Sequence, residues 1–271
     1  MTSTVPPRDW TDILGPDLAR GGCERWIAVL PLAATEQHGP HLPLGTDIMI
    51  AQAYLRRVRE IISEAVPVTF LPIQPVGIST EHTDYPGTLT LPTEAALRAW
   101  FALGEGVARA GLKKLIMVTS HGGNSAAMSL VAQDLRAQYG MLVVTTSWSR
   151  LSAAEEIFSA EEASHGIHGG AAETSIMLAR HGAQVRVEAI ADFRPAGIAM
   201  TADYRWLSTR RPAPFAWQAQ DLHPSGAAGD ATQASAEKGE WLIDRGAHAF
   251  CELLADVDKF DPQALSKPPK A

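Results

Sequence analysis

A buried strand that runs directly into a loop rich in glycine and proline most constrains the fold of this chain. The apolar run at 26–32 has the length and composition of a strand covered on both faces. Residues 48–62 carry apolar side chains at helical spacing. A strand, a tight loop and a helix in this order predict the start of an α/β fold.

The same alternation continues along the chain. Strands are expected at 68–71, 115–118 and 141–146, and further helices at 170–180 and 234–257. Thr93 is expected to cap a helix that stops at Gly111, and another helix is expected at 125–139. This order predicts the α/β class, with a mostly parallel sheet in a three-layer α/β/α arrangement. We expect a single domain over 1–271, with a disordered tail at about 262–271.

Composition excludes several classes of function. The net charge of −7 argues against a nucleic-acid surface, and no basic run marks a membrane patch. No apolar run approaches the length of a membrane span, and residues 1–7 lack the apolar core of a signal peptide. Cys23 and Cys251 are the only cysteines, and we expect them to be packed and reduced. We therefore predict a cytoplasmic protein with neither nucleic acid nor membrane as a partner.

Side chains of the kind that bind metals follow two of the predicted strands. Glu36, His38 and Asp47 come after the first strand, and His121 comes after the third. Ligands of doubly wound sheets bind beyond the carboxyl ends of the strands, so these side chains are expected to meet. Each also has a simpler explanation, because Asp47 could complement a helix dipole and His121 could position a turn.

A later helix adds one more carboxylate. Glu173 lies in an apolar helical stretch, where a carboxylate is either exposed or paired. Three carboxylates and two imidazoles exceed the needs of one tetrahedral zinc ion. They suit two metal ions with one bridging carboxylate.

Three motifs in order resemble the creatininase family of metal-dependent amidohydrolases. They are Glu-Gln-His-Gly-Pro-His-Leu-Pro with Thr-Asp at 36–47, His-Gly-Gly-Asn at 121–124, and His-Gly-Gly with Glu-Thr-Ser at 168–175. The resemblance spans about 10–257. It implies a dinuclear site of zinc and/or manganese, with iron as a further option, whose ligands are Glu36, His38, Asp47, His121 and Glu173. Asp47 would be the bridging ligand.

The resemblance also implies a proton-shuttling histidine at His168. An imidazole titrates near neutrality and can protonate a leaving amine. A capping or metal-shell role is the alternative for His168, and His165 is a weaker rival as proton donor. The expected reaction is hydrolysis of a C–N bond in a cyclic amide, formamide or related small amide. A hydroxide bridging the two metals would attack the carbonyl, and His168 would protonate the departing nitrogen.

Further motif residues are expected to contact the substrate. His82 precedes a Pro-Gly-Thr segment that the family shares, and Asn124 and Trp148 follow predicted strands. Asn124 could instead cap a helix, and Trp148 could simply be packed. Gly122 and Gly123 would leave a roomy pocket. Family members that open creatinine carry an acidic residue at the Gly123 position and a tryptophan at the Ser164 position, so we do not expect creatinine as the substrate.

Two other functions stay open from the sequence. The same ligands would serve a metal-dependent lyase or isomerase acting on a sugar that forms an enediolate. A non-catalytic binding protein could also keep the fold, although this chain retains every ligand and His168. The long segment at 193–229 either covers the site or contacts another subunit. The resemblance implies a homohexamer, and Trp206, Phe215 and Trp217 in this segment would suit an interface.

Overall fold

Four parallel strands form the central sheet. In the computed structural model they are β1 Ile27–Leu32, β2 Val68–Phe70, β3 Lys114–Thr119 and β4 Leu142–Ser147. Their order is β2-β1-β3-β4, and Ile27 pairs with both Val68 and Lys114. All six residues of β1 and of β3 are buried, which explains the apolar runs at 27–32 and 115–118. The predicted parallel sheet and α/β class are confirmed.

Helices connect the strands and cover both faces of the sheet. The described residues are 5–210, 213–261 and 264, so the tail expected at 262–271 lies outside them apart from Ala264. The α-helices are α1 Gly15–Ala19, α2 Thr46–Ile61, α3 Thr93–Arg109, α4 Ser125–Tyr139, α5 Trp148–Leu151, α6 Ala160–His165, α7 Ala171–His181, α8 Ala196–Asp203, α9 Ala219–Leu222 and α10 Ala236–Lys259.

Two apolar clusters separate the layers. On one face, Ile27 and Val29 of β1 pack with residues of α2, α7 and α10. On the other face, Ala28 and Leu30 pack with residues of α3 and α4. Alternate residues of one strand therefore serve two cores, as the strand period of two requires. The arrangement is the predicted three-layer α/β/α sandwich.

One expected helix cap is wrong. Thr93 is the first residue of α3, and Pro92 occupies the capping position. The carbonyl of Pro92 already accepts a hydrogen bond from the backbone N–H of Ala96, at 3.0 Å. The fixed φ of proline favours the extended conformation that a capping residue needs, so the helix begins one residue earlier than a Thr93 cap would require.

The segment at 193–229 contains short elements rather than one unstructured loop. The two-residue strand β5 Asp192–Phe193 pairs antiparallel with β8 Gly229–Asp230, and β6 Leu207–Ser208 pairs with β7 Ala213–Pro214. The β5–β8 pair closes the segment at its base, and the β6–β7 pair lies within it. Among the helices of the described residues, none combines the length and apolarity needed to cross a membrane.

Candidate metal centre

The candidate site lies where the connections leave the sheet in opposite directions. The chain passes from β1 to β2 on one side and then to β3 on the other. The loop after β1 carries Glu36 and His38 and leads into α2, whose second residue is Asp47. His121 follows β3 directly. The structure thus brings these four side chains together at the carboxyl ends of the strands, as expected.

A backbone carbonyl fixes the orientation of His121. Its Nε2 donates to the carbonyl oxygen of Ile78 at 2.7 Å, which leaves Nδ1 to face the cluster. Nδ1 lies 3.0 Å from Oε1 of Glu36 and 3.7 Å from Oδ2 of Asp47. These three side chains are one group whose ligand atoms all lie within 4.8 Å of one another.

The second imidazole is fixed in the same way. Nδ1 of His38 donates to the carbonyl oxygen of Glu36 at 3.0 Å, which leaves the lone pair on Nε2. Nε2 lies 3.8 Å from Oδ1 of Asp47 and 3.8 Å from Oε2 of Glu173. Glu173 enters from the first turn of α7 and also accepts a hydrogen bond from the N–H of Gly169 at 2.6 Å.

Asp47 is the member that the two groups share. Its Oδ2 faces Glu36 and His121, and its Oδ1 faces His38. Ligand atoms around a tetrahedral zinc ion are about 3.4 Å apart when each bond is about 2.1 Å long. The separations of 3.0–3.8 Å fit that requirement. The two groups therefore resemble adjacent cation sites with one common carboxylate.

Buried polar atoms support this fit. Oε2 of Glu36, Nε2 of His38 and Oδ2 of Asp47 are buried and make no hydrogen bond among the described residues. Burying such atoms without a partner is costly. A pair of divalent cations would satisfy all three, and neutral imidazoles with carboxylates are the donors that zinc and manganese accept.

The pKa shifts of the clustered side chains also favour bound cations. Burial alone would raise the pKa of Glu36, but the imidazoles of His121 and His168 hold it well below its usual range. Burial and the neighbouring Glu36 raise the pKa of Asp47, and burial raises that of Glu173. Burial would lower the pKa of His121, but Glu36 raises it to about 10. Crowded carboxylates with raised pKa values are stabilised in their charged form by nearby positive charge.

His168 borders the same cluster. Its Nε2 donates to the carbonyl oxygen of Gln37 at 2.6 Å, and its Nδ1 lies 3.7 Å from Oε1 of Glu36. Its backbone pairs with Ala228 of the segment at 193–229. With Glu36 and His38 it also forms a third group of compact ligand atoms. The geometry thus leaves a lone pair of His168 at the site, as either a proton shuttle or a ligand requires.

A cavity of about 600 Å³ opens beside the cluster. His121, His168 and Glu173 line one part of it, whereas Arg150 and Trp217 line another. Residues of the segment at 193–229, among them Thr209 and Arg210, contribute to its wall. This segment therefore covers part of the cavity, which was one of its two expected roles.

Two of the expected substrate contacts, Asn124 and Trp148, are engaged within the protein. Asn124 is fully buried, and its side chain accepts from the N–H of Ile78 and donates to the carbonyl of Ala33. These bonds join three loops and leave its amide no reach to a ligand. Trp148 is 1% exposed and stacks on Tyr54 with ring centroids 4.6 Å apart. It borders the cavity, but its ring packs on Tyr54 and Phe250.

The remaining three expected contacts also border the cavity. Gly122, Gly123 and His82 all line it. His82 is nonetheless almost fully buried, and its Nε2 lies 3.5 Å from Oε1 of Glu36. Burial, together with the neighbouring imidazole of His168, lowers the pKa of His82 to about 3. It is therefore neutral near pH 7.

Three residues near the site escaped the sequence-based prediction. Oε1 of Glu81 lies 3.6 Å from Nε2 of His121. Gln37 contacts both His82 and His168 through its side-chain nitrogen. Glu162 is buried and accepts hydrogen bonds from the N–H groups of Ala171 and Asp230. Only Gln37 lies within a recognised motif, and nothing in the local sequence distinguishes the other two from surface acids.

Comparison with known proteins identifies one family. The sequence profile described as creatininase, creatinine amidohydrolase, matches residues 13–254. A mycofactocin precursor peptide peptidase of Mycobacterium ulcerans (strain Agy99) is 31% identical over 85% of this chain and 83% of its own. The creatinine amidohydrolase of Pseudomonas putida is 26% identical over 84% of this chain and 86% of its own.

A further relative matches only in part. The mycofactocin precursor peptide peptidase of Mycobacterium tuberculosis (strain CDC 1551 / Oshkosh) is 38% identical over 41% of this chain. The match spans 46% of that relative, so this chain aligns with less than half of its length.

Solved structures show the same fold. A structure described as creatininase Mn superposes with a TM-score of 0.74 at 21% identity, covering 93% of this chain and 98% of its own. A creatininase variant described as the Zn-Zn type gives a TM-score of 0.72 at 22% identity, covering 93% and 98%.

Proposed function

The chain belongs to the creatininase family, and we propose that it is an amidohydrolase that uses two divalent cations to hydrolyse a C–N bond. The observation that carries this proposal is the Asp47 carboxylate shared by two compact ligand groups. The ligands would be Glu36, Asp47 and His121 for one cation, and His38, Asp47 and Glu173 for the other.

Zinc and manganese are the cations we propose, with iron as a further option. A mixed set of three carboxylates and two imidazoles suits all three ions. Structures of the same fold are described with manganese and with two zinc ions. When bound, such cations would polarise the carbonyl of the substrate and lower the pKa of water.

The protein's own residues would prepare and complete the reaction. The carbonyl oxygens of Ile78 and Glu36 orient His121 and His38, so that Nδ1 of His121 and Nε2 of His38 would face the cations. A cation bound at Nδ1 of His121 would displace the proton that Glu36 favours there. We propose that His168 moves a proton through Nδ1, because its other nitrogen is committed to the carbonyl of Gln37. This proton would go to the departing nitrogen as the C–N bond breaks.

The substrate would be a small amide, a formamide, a cyclic amide or a short peptide. Relatives carry names for creatinine and for a precursor peptide as substrates. A cavity of about 600 Å³ is large enough for a ligand well beyond one small ring. Because Gly123 brings no side chain, we propose that creatinine is not the preferred substrate.

A substrate screen in ¹⁸O-labelled water tests the function. The zinc- or manganese-loaded protein would be assayed on cyclic ureas, lactams, N-formyl amino acids and short peptides, with Asp47→Asn as the inactive control. Hydrolysis predicts one labelled oxygen in the carboxylate product. A product that forms without the label would instead favour a lyase or isomerase, and no turnover on any of the four classes would contradict the proposal.

We also propose that the protein is a homo-oligomer, most simply the hexamer that the family resemblance implies. The segment at 193–229 presents Tyr204, Trp206 and Leu207 to solvent, with Trp206 61% exposed. Clustered exposed aromatic side chains are typical of interfaces. Light scattering should report an oligomer that Trp206→Gln weakens and Leu130→Gln, an exposed leucine of α4, does not. A monomeric wild type at micromolar concentration would refute this.

We also propose that the protein is cytoplasmic. Cys23 and Cys251 are both free thiols in the structure. Free thiols in a two-cysteine chain are consistent with a reducing compartment.

A further inference from the structure

The side chain of Gln37 has an orientation that its neighbours fix without ambiguity. Its Oε1 accepts from the backbone N–H of Gly39 at 2.9 Å. Its Nε2 donates to the carbonyl oxygen of Gly226 at 2.9 Å. An N–H can only donate and a carbonyl can only accept, so the amide oxygen and nitrogen cannot be exchanged. The second hydrogen on Nε2 is left to point at His82.

That hydrogen determines where His82 carries its proton. Nε2 of Gln37 lies 2.7 Å from Nδ1 of His82, and because the amide nitrogen only donates, Nδ1 must accept. The proton of the neutral imidazole is therefore on Nε2. This atom lies 3.5 Å from Oε1 of Glu36, so His82 presents an N–H toward the ligand carboxylate.

The backbone of Gln37 determines the proton of His168 in turn. Its carbonyl oxygen lies 2.6 Å from Nε2 of His168, which must donate. The lone pair is then on Nδ1, 3.7 Å from the same Oε1 of Glu36. The rings of His82 and His168 stack with centroids 4.2 Å apart. One residue thus holds two stacked imidazoles, so that His82 directs an N–H at Glu36 and His168 directs a lone pair into the cluster.

We propose that Gln37 is a positioning residue that sets the protonated nitrogen of both His82 and His168. Its side-chain amide makes His82 a donor that orients the Glu36 carboxylate, and its carbonyl keeps the lone pair of His168 on Nδ1. The consequence for turnover rests on the proposed hydrolysis, whereas the proton positions themselves do not.

Gln37→Glu is the sharpest variant because it keeps the shape of the side chain and removes both of its donors. A carboxylate next to Nδ1 of His82 accepts a hydrogen, so the proton of His82 should move from Nε2 to Nδ1. His82 would then present a lone pair toward Glu36. His168 should not change, because the backbone carbonyl at position 37 is retained.

Nitrogen NMR of zinc-loaded, ¹⁵N-histidine-labelled protein measures these positions directly. The chain has nine histidines, and the His82 and His168 signals would be assigned from their loss in His82→Gln and His168→Gln. The wild type should show Nε2 protonated in both rings. In Gln37→Glu only His82 should change, and Gln184→Glu, at an exposed glutamine, should alter neither ring. A wild-type His82 protonated on Nδ1, or one that Gln37→Glu leaves unchanged, would overturn the proposal.

A second variant covers the case in which Gln37→Glu does not fold. Gln37→Met removes the donor without adding charge, and the His82 signal should then split between both proton positions while His168 stays fixed. A His82 that remains protonated on Nε2 alone would contradict the role of the amide.

A kinetic measurement separates positioning from a merely structural role. Gln37→Met should lower kcat by about 10–100-fold while the metal content stays that of the wild type. Unchanged kcat with an altered His82 would show that the proton positions do not matter to turnover. If no substrate is hydrolysed by the wild type, the proposed function fails, but the NMR result still decides where Gln37 places the protons.

Discussion

A Cβ atom at Gly123 would lie 2.4 Å from Nε2 of His121. It would also lie 2.5 Å from the carbonyl oxygen of Ile78, which accepts the hydrogen bond from that nitrogen, and 2.7 Å from Oε1 of Glu81. Contacts below 3.0 Å do not occur for real Cβ atoms. No side chain at position 123 is therefore compatible with this orientation of His121.

Gly123→Ala should accordingly release His121 from Ile78 and lower metal affinity. We expect a loss of about 10–100-fold, the effect of disturbing a partner that orients a ligand. Gly122→Ala is the matched control, since a Cβ atom there meets nothing within 4 Å. Chelator competition on both variants measures the difference, and equal affinities would show that His121 does not need the hydrogen bond to Ile78.

Asp47→Ala should remove both metal ions, whereas His41→Ala should not. Asp47 belongs to both ligand groups. His41 is instead buried at the edge of the site, and its Nε2 contacts the hydroxyl of Thr174 at 2.9 Å. Loss of such a supporting contact changes metal affinity by about 10–100-fold. Elemental analysis distinguishes the outcomes, and equal metal loss in both variants would mean that Asp47 only complements the start of α2.

His168→Ala should lose turnover and keep both metals. The expected decrease in kcat is about 10²–10⁴-fold, the usual contribution of a positioned acid or base. Substrates with better leaving groups should suffer less, because they need less protonation on departure. A rate series over leaving groups, with elemental analysis in parallel, tests this. If the variant loses metal as well as activity, His168 is a metal ligand. The compact group that His168 forms with Glu36 and His38 is compatible with that role.

Glu162→Gln should destabilise the fold although it conserves shape. Its two carboxylate oxygens accept from the N–H of Ala171 at 2.7 Å and of Asp230 at 2.6 Å. An amide offers one acceptor and sets its NH₂ against the other N–H, which leaves a buried donor unpaired. The free energy of unfolding should fall by about 1–3 kcal/mol.

The neighbouring Glu161→Gln is the control for this change. Glu161 forms an exposed pair with Arg194, and such pairs contribute less than about 1 kcal/mol. Denaturant unfolding of both variants measures the contrast. If Glu162→Gln loses no more stability than Glu161→Gln, the two backbone hydrogen bonds do not anchor α7.

The framework of the site could be predicted because it depends on local patterns. The apolar runs before Glu36 and His121 identify buried parallel strands, and parallel strands bring their carboxyl ends to one edge. The start of α2 places Asp47 beside that edge. Motif order added Glu173, whose helix begins at Ala171, one residue from the expected start.

The remaining details depend on contacts between distant parts of the chain. Glu81 belongs to the 3-10 helix Thr80–His82, which has no periodic pattern to predict it. Trp148 is buried because Tyr54, on another element, stacks on it. Asn124 is held by the carbonyl of Ala33, 91 residues away. Such partners are determined by tertiary packing, so residue type and position alone could not separate them from substrate contacts.

The metal content of the purified protein tests the central claim most directly. The wild type, isolated without chelators and supplemented with zinc or manganese, should hold about two divalent ions per chain after gel filtration, as a two-metal hydrolase requires. Asp47→Asn, measured in parallel, should hold far fewer. A wild type that retains no ion under these conditions, or retains one ion that does not depend on Asp47, would contradict a dinuclear centre built around this carboxylate.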